Sequence, residues 1–278
     1  MNKVLDKLNF LTAGIPLRTE PKDYENAFRV LGEMELDGIE LEFVHGVRMG
    51  ANSQETVKNA SDKFVITAHG PYYINLNSKE QEKVDASIVR IIDTALMADK
   101  VGAYSITYHA AFYMGNDKGA VFDKVKNRTQ KIIEVVEKEG LKVWIRPETT
   151  GKGTQWGDLD EVINLSKEFK QVLPCIDFSH LHARSGGKYN TYDDFCRILE
   201  KIGNEIGQYA LENFHGHLAG IEYSDKGEKK HLELEKSDMN YKDLLKALKE
   251  FEVKGALVCE SPNIEDDCKL IKEYYLSI

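Results

Sequence analysis

The stretch FVITAHGPYYINL, residues 64–76, joins a short apolar run to a histidine at its end. The run from Phe64 has the composition of a buried strand, and Gly70 with Pro71 then breaks it. The same arrangement returns in YSITYHAAFY, residues 104–113, where His109 follows the run. Apolar strands that each end in a side chain able to bind a metal are typical of a parallel sheet with a functional site at the carboxyl ends of its strands.

Seven further segments have a helical period and alternate with eight strand-like runs along the chain. The predicted strands are 9–13, 38–43, 64–69, 104–109, 142–148, 172–177, 214–218 and 256–260. The predicted helices are 24–35, 80–101, 122–139, 158–169, 192–206, 241–251 and 264–275. Asp158 and Asn240 have the residue types and positions of helix N-caps.

Eight strands with crossover helices predict an α/β protein with a (β/α)8 TIM barrel fold, in one domain over residues 1–278. No GxGxxG or P-loop pattern occurs, which disfavours an open nucleotide-binding sheet.

The composition predicts a cytoplasmic protein with reduced thiols. No stretch approaches the roughly 20 apolar residues of a membrane span, and three of the first ten residues are charged. The four cysteines form no CxxC pair. A formal net charge of −9 argues against a protein that coats nucleic acid by broad electrostatics, although bound cations could create a local positive cleft.

Six ligand-type residues end, or nearly end, successive predicted strands, so the barrel topology brings them to one face. They are His69, His109, Glu148, Asp177, His217 and Glu260. Burying so many ionisable groups together is costly unless cations neutralise them. Imidazole and carboxylate without thiolate suit zinc, manganese or iron. Six ligands exceed the needs of one catalytic zinc, which favours two ions that share a bridging carboxylate.

Other histidines extend this cluster. His180 follows Asp177 by three residues, and His231 lies in the loop after the strand that carries His217. Together they make a third metal ion geometrically reasonable.

At these positions the chain resembles the endonuclease IV family of apurinic/apyrimidinic endonucleases, within the xylose isomerase-like barrels. The resemblance covers nearly the whole chain and rests on AHGPYYINL, PETTGKGTQWGDLDEV, CIDFSH and CESPN, while HGHLAGIEY fits less closely.

The resemblance implies a trinuclear zinc site. One ion would be held by His69, His109 and Glu148, and a second by Glu148, Asp177, His217 and Glu260. The third would use His180, His231 and a carboxylate two residues before the last histidine, where this chain has Lys229. Glu222, Asp225 or His182 could supply the missing ligand, or the enzyme could hold two ions.

The resemblance also implies contacts with DNA. Tyr72 matches a tyrosine of the family that supports distorted DNA, whereas for Tyr73 we expect packing at the barrel end. Arg48 follows the second strand, where the family's DNA-penetrating loop emerges. Arg184 and Lys188, in HARSGGKYNT, are candidates for phosphate contacts.

The implied reaction is hydrolysis of duplex DNA on the 5' side of an abasic nucleotide, leaving a 3'-hydroxyl and a 5'-deoxyribose phosphate. Glu148 and Glu260 would orient the attacking water or take its proton, and we expect a monomer. Two alternatives remain: a sugar isomerase or epimerase with one manganese at Glu148, Asp177, His217 and Glu260, and a noncatalytic nucleic-acid-binding barrel.

Overall fold

Parallel strands surrounded by helices form a barrel in the computed structural model, which describes residues 4–278. Eight strands form the main sheet: β1 (Leu8–Ala13), β2 (Gly38–Glu42), β3 (Val65–His69), β4 (Ser105–Tyr108), β6 (Trp144–Pro147), β8 (Ile176–Asp177), β9 (Phe214–Leu218) and β12 (Gly255–Cys259). Their order in this sheet is β6-β4-β3-β2-β1-β12-β9-β8. The TIM barrel prediction is therefore confirmed.

The barrel closes where β6 meets the segment before β8. Isolated parallel bridges join Ile145 to Val172 and Glu148 to Cys175. The predicted strand 172–177 is regular only at its last two residues. Pro174 lies within this segment and has no N–H to donate to a neighbouring strand, which accounts for the interruption.

Ten α-helices of the described chain cover the barrel. They are α1 (Tyr24–Glu33), α2 (Ala51–Ala60), α3 (Gln81–Lys100), α4 (Lys118–Lys138), α5 (Leu159–Glu168), α6 (Phe178–Arg184), α7 (Tyr192–Glu205), α8 (Gln208–Glu212), α9 (Tyr241–Glu250) and α10 (Glu265–Ser277). Asp158 caps α5 in a capping box, and Asn240 caps α9, as predicted. The predicted start of α4 was four residues late, because Asp117 caps this helix.

The sequence-based assignment missed helix α2 and two antiparallel strand pairs. Helix α2 buries only Val57, so its apolar period is weak. Two small antiparallel pairs lie outside the barrel sheet: β5 (Ala111–Phe112) with β7 (Gln155–Trp156), and β10 (Gly220–Ser224) with β11 (Gly227–Leu232). The β10–β11 hairpin carries His231 to the functional face.

The cysteines are free, and Cys175, Cys259 and Cys268 are buried while Cys196 is partly exposed. Within residues 4–278, no helix combines the length and apolar character needed to cross a membrane.

Candidate metal centre

The six predicted strand-end residues lie together at the carboxyl end of the barrel. His69 and Asp177 end β3 and β8, and His217 is the fourth residue of β9. His109, Glu148 and Glu260 directly follow β4, β6 and β12. Each side chain is thus positioned by the end of a strand of the parallel sheet.

These residues, together with His180 and His231, form three overlapping groups in which all ligand atoms lie within 4.8 Å of one another. The first is His69, His109 and Glu148; the second is Glu148, Asp177, His217 and Glu260; the third is Asp177, His180 and His231. Glu148 belongs to two groups and Asp177 to two, so each carboxylate is positioned to bridge neighbouring ions.

Glu148 is fully buried at the middle of this cluster. Its Oε2 lies 3.2 Å from His69 Nε2, and its Oε1 lies 3.3 Å from His109 Nε2 and 3.4 Å from His217 Nδ1. Two ligands about 2.0–2.2 Å from a tetrahedral zinc lie about 3.3–3.5 Å apart. The observed separations therefore have the span of ligands that share an ion.

Several buried polar atoms in the cluster find no hydrogen-bond partner within residues 4–278. They are Glu148 Oε1, Asp177 Oδ2, His217 Nδ1 and His231 Nε2. Leaving buried acceptors unsatisfied is costly, and a divalent cation among them would remove that cost. Nitrogen and oxygen donors fit zinc, manganese or iron.

Several ionisable side chains in the cluster have pKa values that differ from their usual ones. Burial alone would lower the pKa of His69, but the hydrogen bond and charge of Glu148 outweigh burial and raise it to about 10. Burial raises the pKa of Glu260 to about 8 against the attraction of His217, and burial raises that of Glu42 to about 7. A cation bound among these groups would displace the protons that they hold.

A second layer of polar residues lies beneath the centre, and the sequence analysis missed it. Glu40 is fully buried on β2, with its two oxygens 3.0 Å from His217 Nε2 and 3.1 Å from His215 Nε2. Thr67 donates a hydrogen bond to the same carboxylate, and Ser105 lies 2.8 Å from His215 Nδ1. The contact with Glu40 leaves His217 Nδ1 to face Glu148 and Glu260, as expected when a carboxylate orients a ligating imidazole. The alternation of charged and apolar residues in GIELEF, residues 38–43, was the feature of the sequence that could have indicated this layer.

Glu222, Asp225 and His182 were the residues expected to supply the third-site ligand that is missing at Lys229. None of them lies in the cluster. Glu222 lies on the hairpin and pairs with Lys229 and Lys230. Asp225 is exposed at the hairpin turn. His182 is buried, but its Nε2 lies 3.1 Å from Asp238 and its ring packs on Tyr223.

The aromatic residues after His69 lie at the mouth of the site. Tyr72 is 62% exposed, and its ring centroid lies 6.1 Å from that of His69. The expectation that Tyr73 packs at the barrel end was wrong, because this side chain is 64% exposed. Arg48 and Lys188 are also exposed.

The Arg184 guanidinium donates hydrogen bonds to the protein's own backbone. Its Nη1 donates to the carbonyls of Thr150, Lys152 and Gln155, at 3.3, 2.6 and 3.0 Å. These bonds hold the loop between β6 and α5, so the structure does not present this guanidinium as a free phosphate contact.

Comparison with known proteins supports the fold and shows distant sequence similarity to apurinic-apyrimidinic endonucleases. The chain is 44% identical over 268 residues to an uncharacterized protein of Methanocaldococcus jannaschii, covering 96% of this chain and 97% of that protein. It is 26% identical over 154 residues to an apurinic-apyrimidinic endonuclease of Caenorhabditis elegans, covering 54% of this chain. The aligned part spans only 38% of that relative's length.

Solved structures of two functional kinds share the fold. Endonuclease IV from Thermus thermophilus superposes with a TM-score of 0.74 at 14% identity, covering 98% of this chain and all of that one. A D-tagatose 3-epimerase-like protein superposes with a TM-score of 0.71 at 19% identity, covering 97% of both chains. The family model of xylose isomerase-like TIM barrels matches residues 28–274, and the chain therefore belongs to this family.

Proposed function

We propose that this protein is a metal-dependent endonuclease that cleaves duplex DNA on the 5' side of abasic sites, leaving a 3'-hydroxyl and a 5'-deoxyribose phosphate. The observation that carries the proposal is the position of Glu148, which belongs both to the group with His69 and His109 and to the group with Asp177, His217 and Glu260. Two ions sharing a carboxylate are a common arrangement for phosphodiester hydrolysis. The sequence similarity to an apurinic-apyrimidinic endonuclease supports the same reaction.

Zinc is the ion we propose for both positions, with His69, His109 and Glu148 holding one and Glu148, Asp177, His217 and Glu260 the other. When bound, the paired cations supply Lewis acidity that lowers the pKa of an attacking water and offsets charge on the phosphate. Glu260, whose Oε1 lies 3.3 Å from His217 Nδ1 at the same centre, would orient that water or accept its proton. Glu148 fixes the spacing of the two positions.

The mouth of the barrel provides groups suited to a DNA backbone. Tyr72 presents an exposed ring next to His69, and Arg48 and Lys188 are exposed cations in the loops that follow β2 and α6. The net charge of −9 makes these local contacts and the bound cations the source of attraction for DNA. Selection of an abasic site would follow from its ease of bending and flipping, without reading of base edges.

A sugar epimerase is the second candidate, and the group Glu148, Asp177, His217 and Glu260 favours it because one manganese would be satisfied there. An epimerase-like protein also shares the fold. A single ion would leave His69 and His109 without a role. Tight binding of one manganese per chain, with interconversion of ketose epimers and no DNA incision, would establish this alternative.

The test of the endonuclease is incubation of the zinc-loaded protein with a duplex that carries one tetrahydrofuran abasic analogue. We expect incision 5' to the analogue, and we expect prior chelation to abolish it until zinc is restored. An intact strand after incubation with the zinc-loaded wild-type protein would refute the proposed function.

The variant Glu148→Gln should reduce incision by at least about 10³-fold, because the loss of one carboxylate charge weakens both metal positions. Circular dichroism should show an unchanged fold. Glu168→Gln is the matched control, since Glu168 pairs with Lys126 on the outer surface. Full activity of the Glu148 variant would exclude its bridging role.

A further inference from the structure

The β10–β11 hairpin contains an irregularity that changes which side chains face the metal centre. Ile221 pairs with His231, Glu222 with Lys230, and Tyr223 with Glu228, so the register shifts by one residue. Lys229 is the extra residue of this β-bulge and has no partner in the ladder. Successive pairs of an antiparallel ladder point to opposite faces, so Glu228 points to the same face as His231.

The charges on the hairpin agree with this assignment of faces. Lys229 and Lys230 both approach Glu222, with Nζ–Oε distances of 3.3 and 3.4 Å. Two consecutive lysines can share one partner because the bulge puts both of them on the outer face. The residue at the position where the family pattern requires a carboxylate is therefore turned away from the centre.

Glu228 approaches His180 in its place. Its Oε2 lies 3.5 Å from His180 Nε2, and the side chain is only 19% exposed. Gly151 permits this approach, since a Cβ there would lie 2.6 Å from Glu228 Cβ and 3.0 Å from His180 Cδ2. The Glu228 backbone N–H also donates to the Gly151 carbonyl at 3.0 Å, which ties the bulge to the loop after β6.

Both neighbouring histidines present the correct nitrogen. His180 Nδ1 lies 3.0 Å from the Thr149 carbonyl, and His231 Nδ1 lies 3.2 Å from the Glu260 carbonyl. Donation from Nδ1–H to these carbonyls directs each Nε2 away from them, and in a metal-loaded site each Nε2 would be the ligating nitrogen after loss of any proton it carries. His231 Nε2 is buried and has no hydrogen-bond partner within the described residues.

We infer that Glu228 is the carboxylate ligand of a third metal site, with His180 and His231, and that the bulge at Lys229 is what delivers it. The separation of 3.5 Å between Glu228 Oε2 and His180 Nε2 exceeds a good hydrogen bond and fits the span of about 3.3–3.5 Å between ligands of one tetrahedral zinc. Asp177, which shares a group with both histidines, links this site to the two-metal core. The inference rests on the proposed two-metal function and adds a residue to it.

The test is the zinc content of the purified full-length chain, measured by mass spectrometry after zinc loading and dialysis, with affinities from titration calorimetry. Wild-type protein should hold three ions. Glu228→Gln should hold two, or bind the third at least about tenfold more weakly, with unchanged circular dichroism. Glu222→Gln, a carboxylate on the opposite face of the same hairpin, should hold three.

Deletion of Lys229 tests the role of the bulge separately from the role of the Glu228 carboxylate. Every pairing of the ladder can persist without Lys229, and Glu228 would then precede His231 by two residues on the same face. This variant should retain the third ion with wild-type affinity. Loss of that ion in a folded deletion variant would contradict the assignment of faces.

The outcomes separate this inference from the proposed function. Equal zinc content and affinity in wild-type and Glu228→Gln protein would overturn the role of Glu228, whether or not DNA is incised. Loss of an ion in Glu222→Gln with retention in Glu228→Gln would overturn it as well. Three ions in wild-type protein and two in Glu228→Gln, without incision of abasic DNA, would support the site and refute the endonuclease.

Discussion

At the scale of single residues, we expect the candidate metal centre to depend on Glu40 as well as on the groups that would touch the ions. Burial opposes ionisation of this carboxyl, but the charge of His217 and hydrogen bonds from His215 and His217 hold its pKa well below the usual range. An ionised carboxylate at Nε2 of His217 fixes the orientation of the ring and makes Nδ1 a stronger metal ligand. Glu40 is therefore a positioning residue.

Glu40→Gln should weaken zinc binding by the core about 10–100-fold, the usual effect of removing such a partner. Competition with a chelator of known affinity measures this change directly. Glu161→Gln is a matched control: Glu161 is 8% exposed and accepts a hydrogen bond from Tyr113, away from the centre. The control should lose stability but keep its zinc affinity, whereas unchanged zinc affinity in the Glu40 variant would remove its positioning role.

The residues that the sequence predicted are those whose place follows from topology alone. A ligand such as His69 or Glu260 at the end of a parallel strand must come to the carboxyl face. Glu40 escaped notice because its role depends on which face of β2 turns inward beneath that end. Glu228 was not predicted because a bulge changes the face of every residue beyond it, and no local sequence pattern indicates the shift.

At the scale of elements, helix α6 stabilises the loop after β6 through Arg184. The donated bonds to Thr150, Lys152 and Gln155 place this side chain in the framework of the site. Sequence reasoning identified an arginine in a glycine-containing segment but could not show that carbonyl groups already occupy it. The eight strands, by contrast, were predictable because each has a compact apolar run, and only Pro174 disturbed that regularity.

Arg184→Ala should lower the free energy of unfolding by about 2–4 kcal/mol, because it removes charged hydrogen bonds and leaves loop carbonyls without donors. Urea denaturation measures this loss. Lys188→Ala should leave stability within about 0.5 kcal/mol but weaken DNA binding in low salt. The reverse pattern, with stability unaffected by Arg184→Ala and DNA affinity reduced, would restore Arg184 as a phosphate contact.

At the scale of the whole molecule, stability should depend on pH through the metal centre. The pKa values of His69 and His180 are raised to about 10 in the folded chain, His180 by Asp177 and Glu148 against burial, and those of Glu260 and Glu42 are about 8 and 7. All four values exceed those of an unfolded chain. The folded state without metal therefore binds more protons than the unfolded state between pH 6.5 and 8, and stability falls as pH rises through this window.

Metal-free protein should consequently show a falling Tm from pH 6.5 to 9 in differential scanning calorimetry. Zinc replaces the protons, and at a free concentration 100 times its Kd it should stabilise the fold by about 2.7 kcal/mol per independent site. The zinc-loaded protein should keep its Tm across the same range. A Tm of the metal-free protein that rises with pH would contradict the raised pKa values of these histidines and glutamates.

The bulge in the β10–β11 hairpin also bears on how relatives of this chain are recognised. A pattern search that demands an acidic residue two places before the last histidine would discard this sequence at Lys229, although a glutamate lies one place further back on the required face. The bulge accommodates the additional residue, so the longer spacing would still bring a carboxylate to the face of His231. Searches for this fold's hairpin should therefore accept an acidic residue at either spacing when a lysine or another outward residue occupies the gap.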